Sequence, residues 1–143
     1  MTKQILTVAA ALLFTSLAPA QCHAQQVTQA KVPFAFQVGD TTMPAGEYQI
    51  QRALPSSKQV QQIHRADSAV SAFVLTIPTE STNKDAGPRL IFRCYSKECF
   101  LSEIWTGHGD GRKLMVSRRE KEVSRASAEN ELAVVSLPLS VTP

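Results

Sequence analysis

Apolar and polar residues alternate in several short stretches of this chain, which is the pattern of half-buried β-strands. The alternation predicts strands at 32–38, 47–54, 59–65, 89–94, 99–106 and 134–141. The stretch 69–77 is apolar on both faces, which predicts a central strand covered on both sides and ended by Pro78. Turn residues recur between these segments. The pattern therefore favours an all-β or β-rich α+β domain, built as an antiparallel β-sandwich or a barrel-like sheet.

One helix is predicted near the C-terminus, at about 118–128. Ser117 and Glu120 have the spacing of a capping box, in which each side chain bonds a backbone N–H that the helix leaves unpaired. The apolar stripe of this helix is sparse and consists of Val116, Val123 and Ala126. A stripe this narrow predicts a helix that lies loosely on the surface of the β domain.

The clearest hairpin joins 89–94 to 99–106 and carries Cys94 and Cys99. If the four residues between them form the turn, the cysteines lie opposite each other, where Cα atoms about 4.5 Å apart suit a disulfide. An oxidising compartment would permit the bond, which would remove roughly 2 kcal/mol of unfolded-state entropy. Two free thiols or a functional cysteine pair are the alternatives. No metal site is predicted, because zinc normally needs four ligands and the histidines have no partners at useful spacing.

The N-terminus has the pattern of a signal peptide. Lys3 precedes an uncharged apolar run at 5–17, and Ala20 and Ala24 each end a small-x-small cleavage pattern. The run is shorter than the roughly 20 apolar residues that span a bilayer, which disfavours a retained membrane anchor. Lipidation at Cys22 is an alternative, although Gln is a poor match for the residue that precedes a lipidated cysteine.

Removal of a signal peptide at 1–24 would leave one domain at 25–143, secreted or periplasmic and without a membrane span. The formal charge of +3 falls by one with the loss of Lys3, and a balance this mild does not imply nucleic acid as a partner. The chain lacks the G-x-S-x-G, H-E-x-x-H, P-loop and dinucleotide-binding motifs. No catalytic residue and no cofactor is therefore predicted.

Glu103 and Trp105 are candidate binding residues on the second strand of the hairpin. Strict alternation from the cysteine pair places both on an otherwise apolar face, where a carboxylate is costly unless it is paired. Glu103 could instead lie at an edge and pair with Arg112, the next candidate along the chain. Trp105 could stack on a carbohydrate, or it could simply pack beneath the glycine-rich segment 107–111.

The segment 107–111 holds three glycines and is predicted to be a flexible loop. It carries the last two candidate binding residues, His108 and Asp110. They could act as acid and base, or they could serve only the chemistry of a turn. The basic residues that follow, between Arg112 and Arg125, could contact anionic lipid or polysaccharide, or could form a solvated helix face.

Two blocks of the chain carry a resemblance. Residues 32–39 with 43–48 resemble a VPFxFxVG…LPAGxY opening, and residues 89–122 resemble an LxFxRYGDxYFLSxxW…GRxL…SxxExE block. Both are similar to an uncharacterised family of small exported proteins, abundant in soil bacteria of the acidobacterial type. The resemblance implies no activity, ligand or catalytic residue. That family has Arg and Tyr where this chain has Cys94 and Cys99, which implies that a disulfide would be an addition without a shared catalytic role.

These observations predict an exported, non-catalytic binding module or an envelope-associated β module, with an envelope polysaccharide or a protein as the possible partner. One alternative is a small secreted hydrolase or lyase that uses Glu103 with His108 or Asp110. It requires these side chains to converge in one pocket. A second alternative is a protein-binding or inhibitor domain, which requires an exposed apolar patch larger than a few hundred Å².

Overall fold

The computed structural model describes residues 27–83, 85–127 and 132–142. The predicted signal peptide and residue 128 of the predicted helix lie outside the described residues. The strands are β1 (Val27–Val32), β2 (Phe36–Val38), β3 (Thr41–Met43), β4 (Gly46–Leu54), β5 (Ser57–Arg65), β6 (Ser71–Glu80), β7 (Arg89–Tyr95), β8 (Glu98–Gly107), β9 (Asp110–Leu114), β10 (Leu132–Pro138) and β11 (Ser140–Thr142). The helix is α1 (Arg118–Ala126). The predicted β-rich fold with one C-terminal helix is confirmed.

The strands follow one another in the order β10-β7-β8-β9-β6-β5-β4-β1-β11, and neighbours in this order are antiparallel. The short β2 pairs in parallel with β8 and antiparallel with β3. The two ends of the order, β10 and β11, are separated in the chain by Leu139 alone. The Leu139 N–H donates to the Pro88 carbonyl oxygen over 3.0 Å at this corner. The sheet therefore closes on itself in a barrel-like form through its last segment.

The core lies inside this closed sheet and is centred on an aromatic cluster. The Phe36 ring meets Tyr48 and Phe92 edge to face, with ring centroids 5.1 and 5.3 Å apart. Phe34 meets Phe92 in the same way at 5.3 Å. Pro33 has no N–H, and the predicted strand 32–38 is interrupted there. Val32 ends β1 and the chain bends before Phe36 begins β2.

The prediction that the strand at 69–77 is covered on both sides is wrong. Its neighbours on both edges are strands, but its outer face is exposed because the one helix lies elsewhere. The strand also continues through Pro78 to Glu80. At Pro78 the partner is β9, while the pairing with β5 covers only the first half of β6. A proline is tolerated there because its missing N–H can face the unpaired edge.

The prediction of a flexible loop at 107–111 is also wrong. β8 runs to Gly107, a two-residue turn follows, and β9 begins at Asp110. The turn residues His108 and Gly109 have φ angles of 55° and 82°. Positive φ at both central residues is the geometry of the type I′ turn, which matches the twist of a tight hairpin. The glycines therefore permit a turn and a strand.

α1 contacts the sheet through a buried charged residue, Glu120. Ser117 is the N-cap and its side chain accepts from the Glu120 N–H over 3.1 Å, as the capping box predicts. The predicted apolar stripe does not form the contact, since Ala126 is exposed and Val116 precedes the helix. The buried residue of the helix is Glu120, whose carboxylate lies 3.0 Å from Arg93 Nε.

No helix among the described residues is long and apolar enough to cross a membrane.

Candidate functional site

A cleft of about 380 Å³ opens at one end of the closed sheet, between the ends of β4 and β5 and the facing ends of β6 and β9. We call it the mouth cleft. The side chains that alternation directs toward it are Arg52, Gln61, Glu80, Asp110 and Arg112. Its volume lies in the range of ordinary ligand sites, roughly 300–1,000 Å³, and the mouths of closed sheets are common places for such sites.

Strand alternation explains why charged side chains meet in this cleft. On β9, Leu114 is buried in the core, so Arg112 and Asp110 share its inward face. Glu80 on β6 lies directly opposite Asp110. The same end of the inward face is reached on β4 by Arg52, directly opposite Gln61 on β5. The inward face of each of these strands therefore changes from apolar to polar or charged residues where the strand leaves the core.

The four charged side chains are not neutralised by contacts within the protein. Within the described parts of the chain, no ion pair or side-chain hydrogen bond involves Arg52, Arg112, Glu80 or Asp110. Glu80 and Asp110 form a directly opposed cross-strand pair of like charge, an arrangement that costs stability. Unpaired charges of both signs around one cleft leave donors and acceptors free to bind a ligand.

Gln61 adds an ordered polar group to the floor of the mouth cleft. Its side chain is 8 % exposed and its Nε2 donates to the Lys58 carbonyl oxygen over 2.9 Å. That bond fixes the orientation of the amide and turns the Oε1 acceptor away from Lys58. Thr28 on β1 is also buried beside the cleft. The floor is therefore polar, and the core residues Ile50 and Ile104 lie buried beneath it.

The five candidate residues predicted from the sequence lie at three different places in the structure. Asp110 and Arg112 line the mouth cleft. His108 is exposed at the tip of the β8–β9 turn. Glu103 and Trp105 lie on the outer face of the sheet, because Ile91 pairs with Glu103 while the next residue, Phe92, pairs with Leu101.

A β-bulge at Ser102 causes this displacement. The extra residue reverses the alternation, so the residues beyond it point to the opposite face from the one that strict alternation predicts. The predicted placement of Glu103 with Leu90 and Phe92 is therefore wrong, and Ile104 faces the core in its place.

Trp105 is a packing residue. It is 7 % exposed, and its Nε1 donates to Glu103 Oε2 over 2.8 Å. The Arg89 guanidinium lies 5.1 Å from the centre of the ring, and Gly111 lies directly opposite on β9. Tyr48 is also buried. These rings offer no exposed surface on which a sugar could stack.

The predicted alternative of a hydrolase or lyase is not supported by these positions. Glu103 faces outward and is bonded by Trp105, Asp110 faces the mouth cleft, and His108 lies at a turn. Acid–base catalysis requires groups within hydrogen-bond reach of one substrate. The described residues also contain no group of three or more His, Cys, Asp or Glu side chains that could hold a metal ion.

The turn of the hairpin that carries the cysteines lies at the opposite end of β8 from the turn at His108. Cys94 and Cys99 lie directly opposite each other, and their sulfur atoms are 2.05 Å apart, at disulfide-bonding distance. Tyr95 follows at the turn and its hydroxyl donates to Glu120 Oε1 over 3.3 Å. Burial, and then the negative charge of Glu120, raise the pKa of Tyr95. This end of the hairpin therefore anchors α1.

Arg52 and Glu80 were not identified from the sequence. Arg52 lies near the end of β4 and Glu80 ends β6, each on the inward face, and that position was the available signal. Their proximity to Asp110 and Arg112 depends on strand order, which alternation does not reveal. Comparisons of the chain with protein-family models, curated proteins and solved structures found no match.

Proposed function

We propose that this protein is an exported, non-catalytic binding module whose mouth cleft holds a hydroxyl-rich ligand, a neutral stretch of envelope polysaccharide. The observation that carries the proposal is the set of four unpaired charged side chains around the cleft: Arg52, Glu80, Asp110 and Arg112. Export is supported by the signal-peptide pattern at 1–24.

The charge balance of the mouth cleft favours this class of ligand. Two guanidinium groups and two carboxylates face the same volume. A polyanion would be repelled by Glu80 and Asp110, and a polycation by Arg52 and Arg112. A hydroxyl both donates and accepts, so it can use guanidinium donors and carboxylate acceptors at once. The mild net charge of the chain likewise disfavours nucleic acid.

Isothermal titration calorimetry of residues 25–143 against soluble polysaccharides tests the proposal. The panel contains a neutral glucan, an anionic polysaccharide that carries uronate groups and a cationic polysaccharide of amino sugars. We expect the neutral chain to bind best. Arg112→Gln keeps an unbranched polar side chain but removes the charged donor, which should weaken binding about tenfold or more. Arg118→Gln removes the same charge from an exposed position on α1 and is the matched control.

The outcomes separate the proposal from its alternatives. Equal affinities for R112Q and R118Q, or no saccharide binding at all, would overturn the mouth cleft as the site. Reducing-end assays run on the same mixtures should find no cleavage. Cleavage that Glu103→Gln abolishes would instead support the hydrolase alternative.

A further inference from the structure

The outer face of β6 carries a row of large apolar side chains that are exposed to solvent. Phe73, Leu75 and Ile77 alternate along it and are 64 %, 58 % and 52 % exposed. Their inward neighbours Ala72 and Thr76 are buried, so the strand is firmly placed in the sheet. Single exposed apolar residues are common, but a contiguous row of large ones marks an interaction surface.

Residues on the adjacent strands extend this row in both directions. Val60 on β5 lies directly opposite Leu75. On the other side, Thr76 lies opposite Leu114, the last residue of β9, and Met115, which follows it, is 65 % exposed. We call the surface formed by Val60, Phe73, Leu75, Ile77 and Met115 the apolar face. It spans three neighbouring segments of the sheet.

Two exposed lysines border the apolar face at its Ile77 end. Lys113 on β9 lies directly opposite Ile77. On β5, alternation places Lys58 on the same face as Val60 and beside Ile77. The carboxylate on the far side of Lys113 is Glu103, which accepts from Trp105 Nε1. Exposed apolar side chains and lysine ammonium groups thus lie side by side on this surface. Neither lysine forms an ion pair with another described residue.

We propose that the apolar face docks on a lipid surface that carries anionic headgroups. Large apolar side chains enter the boundary between headgroups and acyl chains, and lysines beside them meet the lipid phosphates. Both parts of this chemistry are present at Ile77, which lies between Lys58 and Lys113. Lys58 also borders the mouth cleft, whereas Phe73, Leu75 and Ile77 do not line it. The apolar part of the proposal is therefore independent of what the mouth cleft binds.

A second copy of the chain fits the apolar face less well. The four exposed side chains of the face, each exposing on the order of 100 Å², and the half-buried Val60 together fall short of the roughly 800 Å² per partner of a standard interface. In a two-fold pairing the lysines would meet the opposite end of the face, at Gln62 and Phe73. The turn between β5 and β6 at that end carries Asp67, whose Oδ1 already lies 2.6 Å from Arg65 Nε, so the lysines would have to compete for it.

Vesicle co-sedimentation of residues 25–143 tests the proposal. One set of vesicles contains phosphatidylglycerol and phosphatidylethanolamine, and the other contains phosphatidylcholine alone. We expect binding to the anionic set that weakens as salt rises. The double variant Phe73→Thr, Leu75→Thr introduces β-branched residues, which suit a strand, and should weaken binding about a hundredfold, roughly tenfold for each half-exposed side chain.

Two further variants separate the apolar and electrostatic contributions. Lys58→Gln with Lys113→Gln should lower affinity for the anionic vesicles about fivefold for each lysine and leave weak binding to phosphatidylcholine unchanged. Val134→Thr is the matched control, because Val134 is 65 % exposed on β10, outside the apolar face. All variants replace exposed residues, and urea midpoints equal to that of the unaltered protein show that they fold.

Three results would overturn the proposal. The unaltered protein could fail to sediment with anionic vesicles. The Phe73, Leu75 double variant could bind as tightly as the Val134 control. Sedimentation velocity could reveal a dimer that the double variant converts to monomer, with no vesicle binding, which would assign the apolar face to a second copy.

Discussion

Replacement of Gly111 by alanine is a direct test of how Trp105 is packed. The two residues lie opposite each other on β8 and β9. A Cβ atom at position 111 would lie 2.6 Å from Trp105 Cε3 and 2.7 Å from Cζ3. Ordinary contacts between carbon atoms are about 3.5–4.0 Å, so the ring must move by roughly 1 Å.

The surroundings of Trp105 oppose that movement. Its Nε1 is bonded to Glu103 over 2.8 Å, and Arg89 lies over the ring. Overpacking of this kind costs about 1–3 kcal/mol. If the ring turns away, loss of a hydrogen bond to a charged acceptor adds about 1.5–3 kcal/mol. Alanine returns about 0.5–1 kcal/mol by restricting the unfolded chain. The net loss of unfolding free energy should therefore be about 2–4 kcal/mol.

Urea unfolding followed by tryptophan fluorescence measures this loss, since Trp105 is the only tryptophan of the chain. With a slope of roughly 1–2 kcal/mol per molar urea, the midpoint should fall by about 1–4 M. Gly87→Ala is the matched control, because a Cβ there meets nothing within 4 Å. If the two variants had the same midpoint and the same emission, the close packing of Trp105 against β9 would be refuted.

Three further predictions concern the hairpin that anchors α1. Glu120→Gln leaves the Arg93 guanidinium without its buried counter-charge and should lower the unfolding free energy by about 3 kcal/mol in urea titrations; an unchanged midpoint would contradict a structural role for the pair. Replacement of Cys94 and Cys99 by serine should cost about 2 kcal/mol, and thiol titration of the unreduced, denatured protein should find no free thiol. Tyr95 has a raised pKa in the folded state, so its contribution to stability is complete below its ordinary pKa of 10.0 and declines as pH rises beyond it. Tyr95→Phe should reduce that alkaline loss of stability, and an identical pH profile would count against the proposed burial.

The elements predicted well are those in which local pattern and tertiary structure agree. The hairpin of β7 and β8 follows from its alternation, and the opposition of Cys94 and Cys99 follows from its turn length. The N-terminus of α1 follows from the capping chemistry at Ser117. In each case the bonds that fix the element lie within a few residues of one another, so a single stretch of chain contains the information.

The exposed face of β6 could not be predicted in this way. Alternation identifies which residues of a strand are apolar, but it does not identify what packs against them. Phe73 and Leu75 gave the stretch 69–77 the appearance of a doubly covered strand, although the one helix packs on Arg93 and Tyr95. A strand in the middle of a sheet can therefore be covered at its edges and still present a bare face to solvent.

The placement of the candidate residues depended on a single inserted residue. Without the bulge at Ser102, Glu103 would point into the core with Phe92, which is the costly buried carboxylate that made it a candidate. With the bulge, Glu103 faces outward and Ile104 takes the inward position opposite Leu90. The bulge thus removes a charge from the core and supplies a hydrogen-bond acceptor for Trp105. An apparent catalytic carboxylate in an apolar pattern can therefore indicate a change of register, and the charges that do converge are those at the inward ends of strands distant in sequence.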